Sequence, residues 1–305
     1  MSDDLRDIRP GAESSVPWGV ERATGSPPDR SVRRIATGHT EPLLAVATAV
    51  VDGRPLAVTG SCDRTARVWD LTTGRQICPP LAAHTGEVCA VATAVVDGRP
   101  VAVTGSCDRT ARVWDLTTCE QVGEPLTGHA AAVAAVATAV VDGRPVAVTS
   151  GGDETVRVWD LTTCEQIGEP LTGHTSAVFS VATALLDGRP VAVTGGHDGT
   201  VRVWDLTACE QVGEPLTGHD GWVLSVVTTT IGGRPRIVSG GEDWTLQVWD
   251  PTTVRRVGDP VVGHADKVRA MATAVLDGRP HVISGSQDGM LRVWDLAPSG
   301  QVGEP

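Results

Sequence analysis

The chain has 305 residues and a formal net charge of −12, with 41% hydrophobic and 20% charged residues, a balance that excludes bulk disorder and fibrous classes. No run approaches 18 consecutive apolar residues, which excludes a membrane-spanning helix. The acidic excess also argues against nonspecific nucleic-acid binding, because neutralising phosphates needs clustered Lys and Arg.

Taken in chain order, residues 1–29 are rich in Pro, Ser, Gly and Asp and are expected to form a flexible head, with Trp18 as a candidate docking point. Met1-Ser2-Asp3-Asp4-Leu5 lacks the basic and apolar regions of a secretory signal, so a cytoplasmic location is expected. Seven scattered cysteines then read as reduced thiols rather than a disulfide framework. A single Lys against 24 Arg, with no Asn or Tyr, points to GC-rich codons and hence to a bacterial source.

Six tandem units of 45 residues follow, at 36–80, 81–125, 126–170, 171–215, 216–260 and 261–305. A period of this size marks a solenoid, a propeller or an array. In the second unit, Val88–Val95 reads as a strand rich in Val, Ala and Thr that ends at Asp97-Gly98, a hairpin signal. Val101–Ser106 reads as a second strand, Ala111–Trp114 as a third and Glu120–Glu124 as a fourth, closed by Pro125 at an edge where no ladder donor is missed. Four short antiparallel strands cannot bury both faces alone. Six such sheets packed around a central channel would solve that problem, and an open linear stack is the rival arrangement.

Each unit opens with Gly-His or Ala-His and ends its third strand with Trp-Asp. Between them stand a hydroxyl 20 residues and an Asp 24 residues after the His. The sets are His39, Thr59, Asp63, Trp69; His84, Thr104, Asp108, Trp114; His129, Thr149, Asp153, Trp159; His174, Thr194, Asp198, Trp204; His219, Ser239, Asp243, Trp249; and His264, Ser284, Asp288, Trp294. This pattern resembles the WD40 repeat family over residues 30–305. The resemblance implies an all-β propeller of six four-stranded blades, and four side chains per blade joined in one buried network. An indole N–H only donates, a hydroxyl and an imidazole can do both, and a carboxylate ends the series by accepting. Rings of this family most often have seven blades, so a seven-bladed or incomplete ring is the alternative.

Ser/Thr, His and Asp together also evoke a hydrolase triad. Six in-register copies with the hydroxyl in mid-strand favour a structural role instead. No P-loop and no His-Glu-x-x-His occurs, so no catalytic residue, cofactor or metal site is assigned and the chain is read as a non-enzyme.

Because the units are near copies, their differences carry the functional information. In WD40 proteins the partner surface is the face formed by the loop after Gly-His and the turn before the tetrad Asp. On that face the expected partner-binding residues are Phe179 and His197 in unit 4, Trp222, Leu224, Glu242 and Trp244 in unit 5, and Lys267, Arg269 and Gln287 in unit 6. Aromatic residues and Arg dominate binding hot spots, and the two cations would suit an acidic peptide with an apolar anchor. Cys62, Cys89 and Cys107 fall on the same face and form a weaker thiolate-metal candidate. Cys119, Cys164 and Cys209 share one turn position and read as exposed copies.

Residues 30–35 align with the outer strand of the first unit and are expected to close the ring. The expectation is therefore a noncatalytic, more often monomeric scaffold for a protein or peptide, without nucleic-acid or membrane partners. Its rival is a self-assembling unit that pairs a spare edge strand with another copy.

Overall fold

In the computed structural model, which describes residues 38–296, every regular element is a β-strand. No helix among these residues is long and apolar enough to cross a membrane. The strands form six antiparallel sheets, one per unit, arranged as a six-bladed β-propeller. In blade 2 the order is Val88–Val96, Arg99–Ser106, Ala111–Asp115 and Gln121–Leu126, each strand beside the next. The outermost strand is the least regular. It shrinks to Arg75–Gln76 in blade 1 and Arg255–Arg256 in blade 5, and splits into Glu210–Gln211 and Leu216–Thr217 in blade 4. In blade 6 the fourth position and the tail after it, like the expected closing strand at 30–35 and the head at 1–29, lie outside the described residues.

The hairpin between the first two strands of each blade follows from its two turn residues. Asp97 and Gly98 sit at φ 49° and 76°, as do their counterparts in the other blades, including the Gly232-Gly233 pair at 57° and 75°. Two consecutive left-handed residues make the turn whose twist matches the flanking strands.

The second strand of each of blades 2 to 5 is buried along most of its length, because neighbouring blades cover both its faces. The cores accordingly lie between blades rather than within them. Val51, Leu56, Val58, Ala66 and Val68 of blade 1 pack with Val88, Ala102, Trp114 and Leu116 of blade 2. The same contact recurs between blades 2 and 3, 3 and 4, 4 and 5, and 5 and 6. From blade 2 onward the Trp of the Trp-Asp pair therefore has two functions: its ring packs on the preceding blade and its N–H enters its own blade's network.

Close approach sets the glycine that follows the tetrad hydroxyl. A Cβ on Gly105 would lie 2.8 Å from Val133 Cγ1 and 2.9 Å from Val136 Cγ2 of the next blade. In blade 3 this place is taken by Ser150, which is buried with its hydroxyl unpaired. Along the innermost strands, Thr93 Oγ1 donates to the Thr48 carbonyl at 2.8 Å, Thr138 to Thr93 at 2.8 Å, Thr183 to Thr138 at 2.8 Å and Thr228 to Thr183 at 3.0 Å. At the two ends of the series, Leu43 is 47% and Leu291 69% exposed, whereas Val88 and Leu246, their counterparts inside the series, are at 0%.

The cysteines correct the reduced-thiol expectation. Cys78 is joined to Cys119 by a disulfide between blades 1 and 2. The reason is visible one unit on, where the thiol of Cys164 lies over Gly123, and again where Cys209 lies over Gly168. Cys78 stands at the glycine position, so two sulfurs meet there. Cys119, Cys164 and Cys209 are thus half-buried interface residues and not exposed copies.

Candidate functional site

The tetrads come first, because they shape the loops that carry the candidate face. In blade 4, His174 Nδ1 donates to Asp198 at 2.9 Å and its Nε2 accepts from the Thr194 hydroxyl at 2.8 Å. Trp204 Nε1 donates to the same hydroxyl at 2.8 Å. An ionised carboxylate only accepts, so the protons point one way, from indole to hydroxyl to imidazole to carboxylate. All six blades repeat the arrangement, with His–Asp separations of 2.8 to 3.0 Å. The hydroxyls of Thr59, Thr104, Thr149, Thr194, Ser239 and Ser284 are buried, and a nucleophile there would be shut off from solvent.

The aspartates accept more than the histidine bond. Thr65 donates to Asp63 through both backbone and hydroxyl, and Thr40 through its backbone. Burial alone would raise the Asp63 carboxyl, but bonds from Thr65, His39 and Thr40 outweigh it and bring it down to about 2. Asp108, Asp153, Asp198 and Asp243 are likewise lowered: burial opposes, and bonds from their histidines and neighbouring threonines prevail. In blade 6 Met290 replaces that threonine, and Arg292 Nη1 bonds Asp288 at 3.0 Å instead. The threonine two residues after the tetrad Asp was not singled out in the sequence. The Asp of Trp-Asp was given no task either, yet Asp70 Oδ1 holds the next turn by accepting from the N–H groups of Thr72 and Thr73 at 2.7 and 2.9 Å.

Each blade contributes two positions to the candidate face, one on the innermost strand and one just before the tetrad Asp. In blade 4 these are Phe179 and His197, stacked at 4.3 Å between ring centroids. Trp222 of blade 5 continues the stack on His197 at 3.9 Å, nearly parallel. Lys267 of blade 6 lies over the Trp222 ring with Nζ 5.5 Å from the centroid, and is ion-paired with Glu242. That ammonium holds the Glu242 carboxyl below its ordinary value, outweighing the opposing effect of burial. The face of blades 4 to 6 is thus organised as Phe179, His197, Trp222, Lys267 and Glu242 in direct succession.

The remaining candidates lie around that stack. Arg269 Nη2 donates to Gln287 Oε1 at 3.2 Å within blade 6, and Leu224 is half-buried. Trp244 is 50% exposed on its turn at φ 67°, where it makes no ring contact with Trp222 or Phe179 among the described residues. Trp244 sits on the turn after the tetrad Asp, whereas His197 fills the gap between Phe179 and Trp222. No group of three or more metal-ligating side chains occurs among the described residues.

The family model described as "WD domain, G-beta repeat" matches residues 30–70, 76–115, 119–160, 164–205, 209–250 and 258–295. The chain belongs to the WD40 family. Its WD40 repeats are also similar to mitochondrial division protein 1 of Schizosaccharomyces pombe, 41% identical over 61 residues that cover 19% of this chain and 9% of that protein. The likeness is thus confined to a small part of both chains. WD40 propellers are in general noncatalytic scaffolds for proteins or peptides, and the buried hydroxyls of these tetrads agree with that family role.

Proposed function

We propose that this WD40 propeller is a noncatalytic scaffold that docks a protein or peptide on the face carrying Phe179, His197, Trp222, Glu242, Trp244, Lys267, Arg269 and Gln287. The observation that carries the reading is the stack spanning three blades. Such an array is held in place before any partner arrives, so little side-chain entropy is lost on docking. Because Glu242 neutralises Lys267, an apolar anchor set against the ring edges and exposed Trp244 fits better than a strongly acidic peptide.

The test is affinity capture from lysate followed by calorimetry on the captured partner, with Trp222→Ala and Arg99→Ala as paired variants. Trp222→Ala should cost about 2 kcal/mol, roughly thirtyfold in affinity, while Arg99→Ala on the hairpin face should bind as wild type. Greater damage from the Arg99 substitution would overturn the assignment of the face. The rival, association of copies of this chain, draws on the exposed Leu43 and Leu291 at the ends of the blade series. Light scattering on the purified protein separates it, since that reading requires a mass above one chain.

A further inference from the structure

Blade 2 fills the same two-residue position on the candidate face with thiols. Cys89 lies at the bulge where the register of Val88–Val96 against Arg99–Ser106 shifts, and Cys107 follows the end of the second strand. Their sulfurs are 3.0 Å apart and unbonded. Both backbones are held. The Cys107 N–H donates to the Glu87 carbonyl at 2.9 Å, and a Cβ on Gly86 would come within 2.9 Å of the Cys107 carbonyl carbon. The loop after His84 and the turn before Asp108 thus present the two thiols to each other without a search through rotamers.

We propose that Cys89 and Cys107 form a redox site on the scaffold's binding face that closes reversibly to a disulfide by exchange with a low-molecular-weight disulfide. The Cys107 thiolate attacks one sulfur of the reagent, forming a mixed disulfide and releasing one thiolate. Cys89 then gives up its proton and attacks the Cys107 sulfur, releasing the second thiol. Two protein thiols are oxidised and one reagent disulfide is reduced to two thiols, so electrons and protons balance.

The division of labour follows from the pair's surroundings. The S–H of Cys89 donates to Cys107 and lowers its thiol, whereas Cys89 is raised by that same bond, by burial and by the Glu87 carboxylate. The other free thiols with shifted values differ from Cys107. Cys164 and Cys209 are both raised, by burial and then by Asp160 and Asp205, and neither has a second sulfur beside it among the described residues. Thiolate character and access decide which cysteine reacts, so oxidation should select blade 2.

The experiment treats the native protein with oxidised glutathione, alkylates the remaining thiols and maps them by mass spectrometry. Wild type is expected to lose two hydrogens, with Cys89 and Cys107 protected from alkylation, no retained glutathione, and recovery on adding dithiothreitol. Cys164 and Cys209 should remain alkylatable. Cys89→Ser should trap glutathione on Cys107, and Cys107→Ser should react about tenfold more slowly at Cys89. Wild type in which Cys89 and Cys107 stay alkylatable, or retain stable glutathione adducts, would overturn the proposal. The readout requires no partner and is independent of the docking reading.

Discussion

Replacing His174 by Ala isolates what one tetrad contributes. The imidazole is fully buried and holds Thr194 and Asp198 at 2.8 and 2.9 Å. Its loss leaves the buried Thr194 hydroxyl without an acceptor for its proton, at a cost of about 1 to 3 kcal/mol, and removes a bond to a charged group of about 1.5 to 3 kcal/mol. Asp198 keeps Thr200 and the Thr175 N–H, so it is not stranded and the lower half of each range applies. Adding the void left by the ring brings the total to about 4 kcal/mol. For a chain of this size each kcal/mol moves the melting temperature by about 2 to 4 °C, so a fall of roughly 8 to 16 °C is expected. Calorimetry with circular dichroism on wild type and variant measures it, and serine-directed acylating probes should leave Thr194 unlabelled in wild type. A midpoint within about 2 °C of wild type would show that the tetrad is not a stabilising network.

Three further outcomes follow from the same geometry. The tetrad aspartates are lowered in the folded protein, so their stabilisation is present above the ordinary carboxylate value of about 4 and is lost as pH falls through the lowered values; melting temperature should drop steeply below about pH 4, and Asp198→Asn should flatten that slope. Ser150→Ala removes a buried hydroxyl that has no partner and should raise stability by about 1 kcal/mol, checked by denaturant titration; a destabilised variant would mean that the hydroxyl is satisfied. Cys78→Ser removes the tie between blades 1 and 2 and should cost about 2 to 4 kcal/mol, and its melting curve should lose the response to dithiothreitol that wild type shows in the same assay.

Contacts that recur at fixed offsets inside one unit were legible from the residues. The tetrads belong here through the resemblance to the WD40 family, which implies one such network in every blade, and so do the Asp-Gly hairpins, which the turn residues themselves signal. Contacts between units were legible only in part, because the offset of one blade against the next is a property of stacking. The Cys78–Cys119 bond joins an outer strand to a turn of the following blade, 41 residues on, and no period in the sequence marks that meeting. The candidate face shows the same division. Phe179, His197, Trp222 and Lys267 could be placed on one surface by unit alignment, but insertion of His197 between two rings depends on how blades 4 and 5 meet. Glu242 was grouped with its neighbours as a surface residue, and its pairing with Lys267 changes the charge that a partner meets.

The threonine bonds along the innermost strands all run in one direction, each side chain of a later blade giving its proton to the carbonyl of the blade before it. Such a relay has a handedness of sequence: each of blades 2 to 4 has a socket on one side and a plug on the other, and the two are interchangeable among these blades. Excising or duplicating any interior stretch of 45 residues therefore rejoins a plug to a matching socket. Unequal recombination within the coding sequence can vary the number of blades while keeping this relay intact, and the diversity needed for recognition can then accumulate at the few loop positions where the copies already differ.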